Sequence, residues 1–224
     1  MLEWMAGERK KMKQILVLCI SYLFGSVPWA LVIGKVFFHK DIRKEGSGNL
    51  GASNAGRVLG KPVAVIVTLL DAFKAFFSMM LAYYVAPEMV PYAGLACCVG
   101  HCFPVFAQFH GGKAVATTYG YFLGICTFMT MHFWWQFFFP IVCFFTILWI
   151  CRMVSLSSIT SILIEVITSF ILTAKGMNPM NVSICLLCLW AFVTYRHHSN
   201  LERIRNGTES HIKWMGERKP HGKH

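Results

Sequence analysis

Seven apolar runs, separated by short polar connections rich in glycine, lysine and arginine, leave this chain few ways to fold. They occupy residues 15–38, 63–85, 90–109, 114–131, 133–150, 156–174 and 181–195. A bilayer core takes about 20 apolar residues per helix. Backbone inside hydrocarbon must satisfy its own hydrogen bonds, which favours helices. The expected fold is therefore all-α: a polytopic membrane protein of seven transmembrane helices, with its site built from cytoplasmic loops. A re-entrant segment after Gly111-Gly112 is the alternative for the fourth run. Composition agrees, with 56% hydrophobic and 14% charged residues against about 25% charged in a soluble domain.

The charge balance orients the chain. A net charge of +11 would suggest a nucleic-acid partner in a soluble protein. Here the cations lie between apolar runs, so no nucleic acid is expected. The connections 39–61, 107–113 and 151–155 and the tail from 196 carry nearly all of them, whereas the opposite set carries only Lys175 outside the N-terminus. The positive-inside rule places the first set in the cytoplasm. Arg9, Lys10, Lys11 and Lys13 fall on the wrong side for that arrangement. Either the tail's larger count decides, or residues 1–11 are a non-native extension and the chain starts at Met12. No cleavable signal is read, because the first run continues to Phe38 without a small-x-small site. Nine cysteines, nearly all inside apolar runs, argue against a disulfide framework.

Four polar segments carry the chemistry. The first runs from Gly46 through Ser47, Gly48, Asn49, Leu50, Gly51, Ala52, Ser53, Asn54, Ala55 and Gly56 to Arg57, with Arg43 before it. Its glycines suit a backbone whose N–H groups converge on an anion, and the arginines add phosphate contacts. It spells GxGxxG, but no strand or βαβ unit surrounds it, so a dinucleotide site is rejected. The second, His110-Gly111-Gly112-Lys113-Ala114, opens an apolar helix with N–H donors and a cation, a natural anion site. It fails the Walker A pattern, with Ala107 six residues before Lys113 and Ala114 after it. The third, Arg152 to Ser158, offers three serines to cap the sixth run. The fourth gathers Arg196, His197, His198 and Asn200 where the last run leaves the membrane, followed by Gly207-Thr208-Glu209. Plainer roles exist for each: a turn, a snorkelling lysine, an N-cap and a headgroup anchor.

Asp71 and Lys74, three apart on the second run, can pair along one helix face. Glu165 has no local partner; it faces Lys74, lines a cavity or stays neutral. No metal site is expected from the cysteine and histidine spacings.

Taken together, these segments resemble the bacterial PlsY-type acyl-phosphate:glycerol-3-phosphate acyltransferases from about Met12 to Lys213. Gly25-Ser26-Val27-Pro28 is similar to the family's GSIP, and GSGNLGASN to its GSGNxGATN. Gly100-His101-Cys102-Phe103-Pro104-Val105-Phe106 leads into GGKAVAT, like GH-x-FPVF before GGKGVAT. RMVSLSS and RHHSN…GTE complete the order. The resemblance implies a membrane acyltransferase domain over 12–213, with 214–224 a polar tail. It implies transfer of a fatty acyl group from acyl phosphate to the 1-hydroxyl of glycerol-3-phosphate, the first step of phospholipid synthesis in the bacterial plasma (inner) membrane. No cofactor and no metal is implied; a monomer surrounded by membrane lipid is expected. By motif position, Ser47 and Lys113, with Gly111 and Gly112, would hold the acyl phosphate, and Arg57 the glycerol phosphate. His197 and Asn200 would orient the attacking group. Arg43, Gly46, Gly48, Asn49, Asn54, Ser155 and Arg196 would complete the phosphate sites. The chain departs from the family pattern at Ala114 (GGKA for GGKG), His198, Ala75, Ala30 and Glu165. A divergent paralogue serving as a membrane anion or lipid-phosphate transporter or binding protein is the competing expectation.

Overall fold

The computed structural model describes residues 2–212; the 214–224 tail lies outside them. Ten α-helices and no strand occur among the described residues. They are α1 (Leu2–Gly25), α2 (Trp29–Phe38), α3 (Ala52–Val58), α4 (Lys61–Val85), α5 (Val90–Cys102), α6 (Val115–Ile125), α7 (Phe139–Cys151), α8 (Val154–Ala174), α9 (Met180–Arg196) and α10 (His198–Arg205). Four spans among them are long and apolar enough to cross a membrane: Lys61–Val85, Pro87–Ala107, Trp134–Cys151 and Val154–Ala174. A fifth results if α1 and α2 count as one broken span. Met180–Arg196 is apolar but shorter.

The run at 15–38 is not one helix. Pro28 lacks an N–H donor, and the chain bends by 42° between α1 and α2 at Gly25-Ser26-Val27-Pro28. The third run stops its α-helix at Cys102, before Phe103-Pro104 and a 3₁₀ turn at Val105–Ala107. The fourth run loosens into a π turn at Cys126–Thr130, and a second π turn at Trp134–Phe138 precedes α7. The two turns are tied by Thr130 Oγ1 donating to Gln136 Oε1 at 2.6 Å.

Close helix contact depends on small residues, as expected where lipid gives no hydrophobic drive between helices. A Cβ on Gly100 of α5 would strike α1 backbone at Tyr22 and Ser26; one on Gly120 of α6 would strike Ala72 of α4. The larger core joins α1, α4, α5, α6, α8 and α9 around Met79, Tyr121, Ile162 and Leu189. A smaller core holds α2, α3 and the start of α4 around Leu31, Ile42, Leu50 and Val67. Outward faces stay apolar: Val142, Phe145 and Trp149 of α7 are all exposed, at the spacing of one helix face. All nine cysteines are free.

Helix α1 continues unbroken through residues 2–11, and Lys10 pairs with Glu88 at 3.3 Å. Its basic stretch therefore lies beside the turn before α5, at the end of the bundle opposite Gly25 and Lys113. Glu165 is buried against Gln136, not against Lys74. The serines opening α8 do not cap it: Met153 is the N-cap, and Ser157 and Ser158 donate back to the carbonyls of Met153 and Val154. Mid-turn hydroxyls commonly bond back this way.

Candidate active site

The loop carrying Lys113 is shaped by the end of α5. Gln108 and Phe109 adopt left-handed φ values of 55° and 60°, and Gly111 and Gly112 then run hard against α5. A Cβ on Gly111 would strike the His101 and Cys102 carbonyls, and one on Gly112 would strike the His101 ring. Gly112 N–H donates to the His101 carbonyl at 3.1 Å. It is therefore bonded to protein and not presented to an anion, which corrects the expected role of that glycine. Arg196 donates from Nη2 to the Gly112 carbonyl at 3.2 Å and lies 4.8 Å from the Phe103 ring centroid. It clamps the loop. Ala114 then caps α6 with φ 57°, a left-handed conformation that favours glycine.

Lys113 is half-buried and donates from Nζ to Asn200 Oδ1. Asn200 Nδ2 donates to Glu209 Oε1 at 2.7 Å, and that oxygen also accepts from Ser155 Oγ at 2.7 Å. Glu209 Oε2 accepts from Arg203 Nε at 2.8 Å. Asn200 is thus tied to both Lys113 and Glu209, with one lone pair on Oδ1 and one N–H on Nδ2 left over. Ser155 likewise serves Glu209. Burial opposes ionisation of Glu209, but the hydrogen bonds from Asn200, Ser155 and Arg203 hold its pKa below the ordinary value. Burial, then the Arg203 charge, brings the Lys113 pKa down to about 8, with Glu209 pulling the other way and Arg196 and Arg57 adding to the fall.

His197 is buried one residue past α9. Its Nδ1 lies 2.8 Å from the Val193 carbonyl, which can only accept, so Nδ1 carries the proton and Nε2 presents a lone pair. Burial is the largest influence on its pKa and lowers it to about 4, against the Val193 bond. Near neutral pH the ring is an uncharged acceptor.

The glycine-rich segment before α3 is organised from within. Asn54 is buried; its Oδ1 accepts from Ser47 N–H at 2.8 Å, and its Nδ2 donates to the Ile42 and Glu45 carbonyls at 3.1 Å each. Asn49 Oδ1 accepts from Gly51 N–H at 3.0 Å. Gly46 and Gly48 take left-handed φ values of 60° and 69°. Asn49 and Asn54 thus scaffold the loop. Arg43 forks onto Asp41, with Nη2 to Oδ2 at 2.6 Å and Nε to Oδ1 at 2.9 Å. That bond, ahead of the opposing burial, holds the Asp41 carboxyl well below its usual range. Arg43 is therefore engaged by protein where a phosphate contact was expected. Ser47 is exposed, and its backbone N–H is held by Asn54 within its own loop. Arg57 reaches across, donating from Nη2 to Ser210 Oγ at 3.2 Å, next to Glu209.

This arrangement of two basic, glycine-shaped loops on a helical membrane bundle has known counterparts. A family model described as Glycerol-3-phosphate acyltransferase matches residues 15–207. The chain belongs to the glycerol-3-phosphate acyltransferase family. Relatives bearing that name include one from Staphylococcus carnosus, 36% identical over 211 residues and covering 90% of this chain and 98% of the relative. One from Enterococcus faecalis is 39% identical over 209 residues, covering 90% and 93%. Among solved structures, the chain is similar to the glycerol 3-phosphate form of PlsY, an integral membrane glycerol 3-phosphate acyltransferase. The TM-score is 0.78 with 32% identity, over 89% of this chain and 95% of that one. The lysophosphatidic acid form of PlsY gives 0.76 and 31% with the same coverage.

Within this acyltransferase, motif reading placed Lys113, Asn200 and Ser155 in one site, and the structure joins them in one chain of hydrogen bonds. It passed over Glu209, the acceptor common to Ser155, Asn200 and Arg203. The only available signal was the GTE triplet after the last helix; its return to α8 depends on the turn after α10.

Proposed function

We propose that this chain transfers a fatty acyl group from acyl phosphate to the 1-hydroxyl of glycerol-3-phosphate, giving 1-acyl-glycerol-3-phosphate and inorganic phosphate. The observation that carries the reading is Lys113, held by Asn200 and Glu209 beside an uncharged, acceptor-ready His197. Lys113 and Ser47 hold the acyl phosphate, and Arg57 holds the glycerol phosphate. His197 Nε2 accepts a hydrogen bond from the neighbouring 2-hydroxyl of glycerol-3-phosphate and so aims the 1-hydroxyl at the acyl carbon. The new ester C–O bond forms as the C–O bond to phosphate breaks, with Lys113 stabilising the departing phosphate. A His197 with a pKa of about 4 is a weak base, whereas a phosphate monoester has a second pKa of about 6. The hydroxyl proton therefore goes to a substrate phosphate oxygen, and His197 orients.

The reading extends to topology. The α1–α2 pair, the four long spans, the α6 stretch and α9 make seven crossings of the bacterial plasma membrane. The Lys113 end faces the cytoplasm, where both anions are available, and the site lies within one chain, so a monomer suffices. Residues 12–213 form the acyltransferase domain, and the product enters phospholipid synthesis.

The test is direct. Purified protein given palmitoyl phosphate and labelled glycerol-3-phosphate yields labelled lysophosphatidate. Product only with acyl-CoA overturns the donor; phosphate-ester flux across vesicles without acyl transfer favours a carrier.

A further inference from the structure

Beneath the Lys113 loop lies a buried charged group that the proposed reaction does not use. Asp71 and Lys74 on α4 and His101 on α5 are all buried. Lys74 Nζ lies 2.9 Å from Asp71 Oδ1, 2.8 Å from His101 Nδ1 and 3.3 Å from the Val27 carbonyl at the break between α1 and α2. An ammonium has three N–H donors and no acceptor, and here three polar atoms surround it. His101 Nδ1 also lies 3.4 Å from Asp71 Oδ1, so the ring is tied to the pair whether Nδ1 accepts from Lys74 or donates to Asp71. The Nε2 edge of the ring abuts Gly112 so closely that no side chain fits there. Gly112 is thereby fixed on three sides: its N–H by the His101 carbonyl, its Cα by the His101 ring, and its carbonyl by Arg196. Lys113 is the next residue.

Charges in a membrane helix cost about 2.5–3.5 kcal/mol each on insertion scales. Apolar replacement of a buried ion pair is often neutral or stabilising. Stability alone is thus a weak reason for this chain to keep Asp71, Lys74 and His101 together.

We propose that His101, braced by Lys74 and Asp71, is a positioning residue for Lys113: it sets the Gly111–Gly112 turn from below and so places the cation that holds the acyl phosphate. The proposal rests on the acyl-transfer reading and deepens it. It assigns His101 no contact with substrate.

The experiment is a set of variants assayed with palmitoyl phosphate and labelled glycerol-3-phosphate, normalised to folded protein. His101→Ala lowers kcat by about 100-fold, the scale of a 1 Å misplacement, and raises KM for palmitoyl phosphate while leaving KM for glycerol-3-phosphate unchanged. A partly unfolded population would lower the apparent kcat and move neither KM. His101→Asn, whose amide can meet Lys74 through Oδ1 or Asp71 through Nδ2, recovers most of the activity. Gly112→Ala alone falls about as far as His101→Ala, but adds little in the His101→Ala background, where the vacated ring space takes the methyl; such non-additivity marks direct contact. Wild-type kinetics in His101→Ala, no recovery in His101→Asn, or multiplying losses in the double variant overturn the proposal. If the unaltered protein makes no lysophosphatidate, the acyl-transfer reading fails instead. The thermal unfolding cycle of Gly112→Ala and His101→Ala then still tests the contact, and additive shifts refute it.

Discussion

The loop at Lys113 and the loop at Ser47 look alike in sequence and are built differently. Both are glycine-rich, flanked by cations, and placed where apolar helices meet water. At Lys113 every element is tied to distant parts of the chain: His101 below, Arg196 beside, Asn200 and Glu209 above. At Ser47 the ties are local, running through Asn54 to Ile42 and Glu45, and the serine itself is exposed. One loop is held by helices and tail residues around it. The other is a self-supporting lobe that touches the tail through Arg57. A glycine-rich basic motif thus specifies an anion site chemically without specifying which parts of the chain hold it.

The comparison breaks most sharply at Lys113. Lys113→Ala should lower kcat by about 100- to 1000-fold, the scale for removing one charge-stabilising donor; near-normal turnover would remove it from the site. In the other loop, activity and stability should separate. Ser47→Ala should lower acyl transfer at least about tenfold with no change in the unfolding midpoint, because Ser47 is exposed. Asn54→Ala should lower both, since it removes three hydrogen bonds to the Ser47 N–H and the Ile42 and Glu45 carbonyls, at about 0.5–1.5 kcal/mol each. Equal stability in the two variants would contradict the lobe's internal scaffold.

A pH profile of kcat/KM sharpens the contrast further. Lys113 is charged below its pKa of about 8, so phosphate capture is lost as pH rises through that value. His197 is uncharged above about 4, so its acceptor role is lost as pH falls through that value. The substrate phosphate that takes the hydroxyl proton must be a dianion, with a second pKa of about 6, so the plateau is expected between about 6 and about 8, and the alkaline limb should vanish in Lys113→Arg if that variant retains turnover. The smallest effect concerns Ala114. A left-handed non-glycine residue costs about 1–2 kcal/mol, and the buried methyl returns about 0.8 kcal/mol. Ala114→Gly should therefore stabilise the protein by no more than about 1 kcal/mol, read by chemical or thermal unfolding, and leave activity intact.

The motif reading assigned Gly112, Arg43 and Arg196 to phosphate and Asn200 to the attacking hydroxyl. In the structure each also meets a protein group: the His101 carbonyl, Asp41, the Gly112 carbonyl, and Lys113 with Glu209. Spacing along a chain shows which donors exist. It does not show which acceptors from elsewhere reach them first.

From the sequence alone came the helical membrane architecture, the family and the polar segments that bear its chemistry. Apolar run length and the order of glycine-cation motifs are one-dimensional properties, set by bilayer thickness and by local backbone freedom. Only the tertiary structure decided which distant residues meet around those segments. Glu209 meets Ser155 across 54 positions and His101 meets Lys74 across 27. Those meetings follow from how helices pack and how the tail folds back, and burial there sets the charge states of Lys113 and His197.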